Sequence, residues 1–158
     1  MESFEVLKES TYQLGGFKVV KKSSSIETIS HLNHVIHFID LTYINVGIFY
    51  HGWVDSRTND QMKEILTGHF YEIYKKYRCA NMLMDCTKMK GSFSGINQWY
   101  ATVFMPEISR KGLKNHALVN PVEQFAQLSV KDWTRKVIGI NNQNFDTLSD
   151  ALNWLALT

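Results

Sequence analysis

The chain is short of several things that would decide its function at once. It has two cysteines, Cys79 and Cys86, and if they flank one extended strand they stand about 23 Å apart, beyond the reach of a disulfide. Unpaired cysteines fit a reducing compartment. No apolar run approaches the roughly 18 residues of a membrane span. Glu2, Glu5 and Glu9 leave no signal-peptide core near the start, so the expectation is a cytoplasmic protein away from the membrane. The net charge of +2 is too small for a nucleic-acid partner, and Lys21-Lys22, Lys75-Lys76 and Arg110-Lys111 are separated pairs on solvated faces. Gly91 and Gly95 form neither a dinucleotide nor a P-loop fingerprint. His31, His34 and His37 have no cysteine or carboxylate cluster beside them, and a strand would turn His34 and His37 to opposite faces. No metal or other cofactor is expected.

What is present is ordinary globular material, 44% apolar and 20% charged over 158 residues, enough for one domain with a proper core. Residues 1–32 contain Gly15-Gly16 and Ser23-Ser24-Ser25, and read as an N-terminal arm or edge element. The spacing of Ile26, Ile29 and Leu32 permits a short helix from Ser25. Residues 33–158 read as an α/β domain. Strands are expected at Val35 to Leu41 and Ile44 to Val54, joined tightly at Thr42-Tyr43. A helix follows from Thr58 to Tyr77, where Thr58 and Gln61 make a capping box.

Ala80 to Asp85 is apolar on both faces, as a central parallel strand would be. The next helix starts near Ser92 or Ser94, is broken or kinked by Pro106, and ends by Gly112. His116 to Val119 is a strand, and Asn120 with Pro121 opens a third helix. Val137 to Ile140 is a strand, and Asp146 or Thr147 starts a final helix. The order ββαβαβαβα predicts a mixed, mostly parallel sheet of about five strands with an antiparallel first hairpin. Trp99, Val103, Phe104, Leu83, Leu118, Ile138 and Leu152 are expected in one core around it.

The most informative stretch runs from Cys79 to Trp99. A strand ending at Asp85 delivers Lys88, Lys90, Ser92 and Ser94 to a helix start, where backbone donors favour anions. Ser92 or Ser94 can cap that helix or take a phosphate. Asp85 can brace the loop, and Trp99 stands near its mouth. Cys86 needs a base to be a nucleophile, and the sequence names none.

Several short segments follow one another along the chain: Tyr50-His51-Gly52-Trp53, Leu83-Met84-Asp85, Trp99 before Val103-Phe104-Met105-Pro106, Ala117-Leu118-Val119, and Phe145-Asp146 before Ala151-Leu152-Asn153-Trp154-Leu155. On these, residues 34–157, about four-fifths of the chain, resemble the STAS family of bacterial anti-sigma-factor antagonists, and more closely small bacterial STAS/SEC14-like proteins. In STAS domains a strand-ending Asp is followed about nine residues later by a phosphorylated Ser or Thr and then Gly. Here that count lands on Ser94-Gly95, with Phe93 where the family carries Asp. The resemblance implies a non-enzymatic interaction module in bacterial signalling, with a protein partner held by Asp85, Lys88, Lys90, Trp99 and the loop after Val119. A homodimer is compatible with it. The alternative is a small-molecule or lipid-binding domain with an apolar pocket lined by Trp99, Phe104 and Met105. A third reading places an enzyme site at Asp85 and His116.

Overall fold

Strands occupy much of the segment expected as an arm or edge element. The computed structural model describes residues 5–9 and 16–158, and its first strands are β1 (Glu5–Glu9), β2 (Phe17–Lys21), β3 (Ser25–Ser30) and β4 (Val35–Asp40). The helix permitted from Ser25 is therefore a strand. Ile26 and Thr28 are buried while Glu27 and Ile29 are half-buried, a period of two that pairing with β2 and β4 enforces. Leu32, the third residue of the helical pattern, is exposed.

The connection from β4 to β5 (Ile48–Trp53) is a 3-10 turn over Leu41–Val46 rather than a two-residue link. Asp40 starts it by accepting from the Thr42 backbone N–H. Each of β1 to β4 pairs antiparallel with the next, and β5, β6 (Asn81–Asp85), β7 (Asn115–Val119) and β8 (Asn141–Phe145) pair in parallel. The sheet order follows the chain order throughout. Seven strands lie between Phe17 and Phe145, with β1 added at the edge, where about five were expected.

Three helical crossovers serve the parallel half. The first is α1 (Asn59–Ile65), a π turn at Leu66–Phe70 and α2 (Tyr71–Tyr77); Thr58 and Gln61 form its capping box as expected. The second is α3 (Asn97–Trp99), a π turn at Tyr100–Phe104 and α4 (Met105–Arg110). Pro106 does not break this helix. The wider π turn sits immediately before it, where the proline ring and missing N–H would disrupt regular α bonding. The third is α5 (Gln124–Lys136), whose cap is Glu123 rather than Asn120; Glu123 accepts from the Ala126 N–H. Because consecutive strands are neighbours, right-handed crossovers put all three on one face.

That helical face holds the larger core, including Phe49, Trp53, Phe70, Tyr100, Leu118 and Trp133. The opposite face is covered by α6 (Leu148–Ala156), capped by Thr147, whose Ala151 and Leu155 pack on Leu83, Ala117 and Val119. The expected single core is thus two clusters separated by the sheet. Val103 and Ile138, assigned to the core, are 55% and 54% exposed.

The strand expected at 137–140 is displaced to Asn141–Phe145, a polar segment. An asparagine ladder explains it. Asn141 Nδ2 donates to Asn115 Oδ1 at 3.1 Å, and Asn115 Nδ2 donates to Asn81 Oδ1 at 3.0 Å, along one in-register row. Side-chain amides at a sheet edge thus replace the apolar alternation that marks a half-buried strand. Cys79 and Cys86 are free and buried.

Candidate functional site

The loop from Cys86 to Gly95 leaves the carboxyl end of β6 and is held on every side. Asp55 exchanges backbone hydrogen bonds with it: its N–H donates to Lys88 O at 2.8 Å, and Lys90 N–H donates to Asp55 O at 3.0 Å. The buried Arg57 guanidinium donates to the carbonyls of Lys90 at 3.0 Å, Gly91 at 3.4 Å and Ser92 at 3.5 Å. It also stands 5.8 Å from the Phe93 ring centroid. Burial pushes the Arg57 pKa down, opposed by the Glu123 carboxylate. Glu123 Oε2 accepts from Gly91 N–H at 3.2 Å and from Ala126 N–H at 2.7 Å, tying loop to helix. Gly91 has φ +80°, a left-handed turn that glycine adopts without steric cost.

Ser92 and Ser94 do not cap a helix in the expected way. The turn at Ser94–Ile96 is preceded by Phe93 with no side-chain cap. Instead the hydroxyls of Ser92, Ser94 and Ser129 form a triangle with sides of 3.0 to 3.1 Å, and Ser129 Oγ accepts from Phe93 N–H. Phe93 itself is a buried plug. Lys88 and Lys90 are exposed. Trp99 is half-buried, with Lys63 Nζ 4.9 Å from its ring centroid.

Asp85 braces the start of the loop. Its Oδ1 accepts from Thr87 N–H at 3.0 Å and Thr87 Oγ1 at 2.7 Å, and its Oδ2 accepts from Tyr50 OH at 3.2 Å. Burial first, then the Asp85 charge, drives the Tyr50 pKa up. Cys86 is fully buried, and burial pushes its thiol pKa far up, so it is held as the thiol. Asp85 and His116 face opposite sides of the sheet, since β6 and β7 run in register with Asp85 opposite Val119 and Met82 opposite His116. They do not share a site.

Two features escaped the sequence reading. The first is a depression of about 340 Å³ on the face opposite the crossovers, lined by Glu27, Phe38, Tyr50, Asp85, Thr87 and Lys88 among others. Phe104 and Met105 are buried in the main core and do not line it. The second is the pairing of histidines from β4 and β5 inside the core. His37 Nε2 and His51 Nδ1 are 3.1 Å apart, sharing one hydrogen bond, with Trp53 and Phe70 against them. His116 Nδ1 bonds Asn142 Oδ1 at 2.8 Å. Burial lowers the pKa of His37 and His51, each further lowered by a neighbouring histidine, and lowers His116 to about 4. These rings are neutral core members. Among the described residues no group of three or more His, Cys, Asp or Glu is arranged to hold a metal, and no helix is long and apolar enough to cross a membrane.

Comparison with protein-family models, curated proteins and solved structures finds no match to this chain. The reading of function therefore rests on its own surfaces.

Proposed function

We propose that this chain is a non-enzymatic, STAS-like protein-interaction module of bacterial signalling. It docks a partner on the end of the domain built from residues 86–95 and the first half of α5. One observation carries the reading. Val122, Phe125 and Leu128, spaced by three, are 79%, 62% and 58% exposed. Single exposed apolar residues are common, but three large ones within residues 122–128 form a patch that a partner would cover. The patch adjoins the loop, because Glu123 binds Gly91 and Ser129 binds Ser92 and Ser94.

Charge narrows the partner. Lys88 and Lys90 are exposed and form no ion pair among the described residues. An acidic amphipathic segment fits, with apolar side chains over the α5 stripe and carboxylates toward the lysines. The brace from Arg57, Glu123 and Asp55 supports the same reading, since a pre-ordered surface has less entropy to lose on binding. Phe93, buried beneath Arg57, replaces the acidic residue that the family presents beside its serine. Partner docking at this surface therefore does not depend on phosphorylation of Ser94.

The test compares wild type with Phe125→Ser/Leu128→Ser, Lys88→Ala/Lys90→Ala and Ser94→Asp in pull-downs from the native host, with circular dichroism confirming each fold. The first two variants should lose the proteins that wild type retains. Retention of every partner at unchanged affinity by all three would refute the reading.

A further inference from the structure

On the face away from the crossovers, we propose a second site, for a small organic dication of the aliphatic diamine class. It goes beyond the docking reading and does not rest on it. The register of the sheet sets out the argument. Glu27 is paired with Phe38, Phe38 with Gly52 and Gly52 with Asp85, so the four stand in one row across β3, β4, β5 and β6. A carboxylate ends the row on each side. Three strand spacings put the Cα atoms of Glu27 and Asp85 about 14 Å apart, and side chains leaning inward shorten the gap between the carboxylates.

The middle of the row is aromatic. A Cβ on Gly52 would lie 2.5 Å from the Phe38 ring and 2.7 Å from Asp85 O, so only glycine lets that ring lie against the β5 backbone. Phe38 stands edge-on to Tyr50, with centroids 5.3 Å apart. The depression over these residues has a volume of about 340 Å³, within the range of small-ligand sites. Carboxylate, aromatic ring and carboxylate in sequence suit a molecule with an ammonium at each end and methylenes between, because carboxylates attract the ammoniums and the apolar ring accommodates the methylenes.

Both carboxylates already hold donors. Lys22 pairs with Glu27, an ammonium in the place where one end of the ligand would bind. Asp85 accepts from Thr87 and Tyr50 and, as a carboxylate with about four acceptor positions, can accept again. Lys88 also lines the depression; it is exposed and can swing its charge into solvent on its flexible stem.

The experiment titrates the full chain, by amide 1H–15N shifts at low salt, with 1,6-diaminohexane, hexylamine and 1,6-hexanediol. The diamine should produce saturable shifts centred on Glu27, Phe38, Tyr50 and Asp85. Hexylamine should bind at least tenfold more weakly and the diol not at all. Glu27→Gln and Asp85→Asn, each checked for a dispersed native spectrum, should both reduce the diamine to the hexylamine level. Equal binding of hexylamine and diamine, absence of saturable shifts, shifts centred elsewhere, or undiminished diamine binding by a folded variant would overturn the proposal.

Discussion

The two faces of the sheet are built on different terms. The face under the crossovers is sealed by three helical segments and packed with Trp53, Phe70, Tyr100 and Trp133, to the point that His37, His51 and His116 are enclosed as neutral rings. The opposite face has one helix, α6, over β6 to β8, and the strands nearer β3 and β4 are left with an open depression. Sequential strand order is the cause, since it sends every crossover to the same side. Stability is therefore concentrated on one face, and the surface free for a small ligand lies on the other.

The largest test of that contrast is Phe70→Ala. Phe70 is 1% exposed and touches His51, Phe49 and Phe104 with ring centroids 4.7, 5.4 and 6.0 Å away. Its truncation should cost about 3–5 kcal/mol in urea unfolding. A loss below about 1 kcal/mol would show that the crossover face is loosely packed.

Acid should act through the same face. A histidine whose folded pKa lies below its unfolded value lends stability that is complete above the unfolded pKa, about 6.5, and is lost as the pH falls below it. For His116 the loss continues down to its folded value of about 4, and over that window amounts to roughly 3 kcal/mol. His37 and His51 act in the same direction. Urea unfolding at several values between pH 7.5 and pH 4.5 should show His116→Gln losing less stability on acidification than wild type. Parallel pH profiles would contradict the neutral-core assignment.

Gly52→Ala probes the open face and should have a smaller effect. The added methyl meets the Phe38 ring and the Asp85 carbonyl, and the carbonyl, being backbone, cannot easily yield. A cost of about 1–3 kcal/mol is expected in the same assay, with amide shifts confined to β4, β5 and β6. An unchanged midpoint would mean that Phe38 moves freely over the sheet.

How much of this was legible in the sequence depended on which force shaped each element. The capped helix after Thr58 and the strand ending at Asp85 were readable, because buried apolar side chains and a capping box leave marks at fixed spacing. Strand β8 was not, because asparagine ladders hold its edge and the apolar Val137 to Ile140 lies just before it. The helix reading from Ser25 failed because the spacing of three marks no shared face here: Ile29 alternates to the face opposite Ile26 in β3, Leu32 is exposed beyond the strand, and pairing with β2 and β4 decides the structure. At the candidate site the loop's place at the strand end could be foreseen. Its brace could not: Arg57 and Glu123 lie 33 and 32 residues from their partners Lys90 and Gly91, and only the fold brings them together.

The smallest expected change in stability accompanies the largest expected change in function. Phe125 and Leu128 are exposed on α5, so Phe125→Ser/Leu128→Ser should shift unfolding by no more than about 0.5 kcal/mol. The most direct test of the docking account is cross-linking mass spectrometry on the complex that the chain forms in its native host, with wild type and this double variant side by side. The account predicts partner cross-links at Lys88 and Lys90 in the wild type and their disappearance in the folded variant. Cross-links clustered on another surface, or undiminished in the variant, would contradict it.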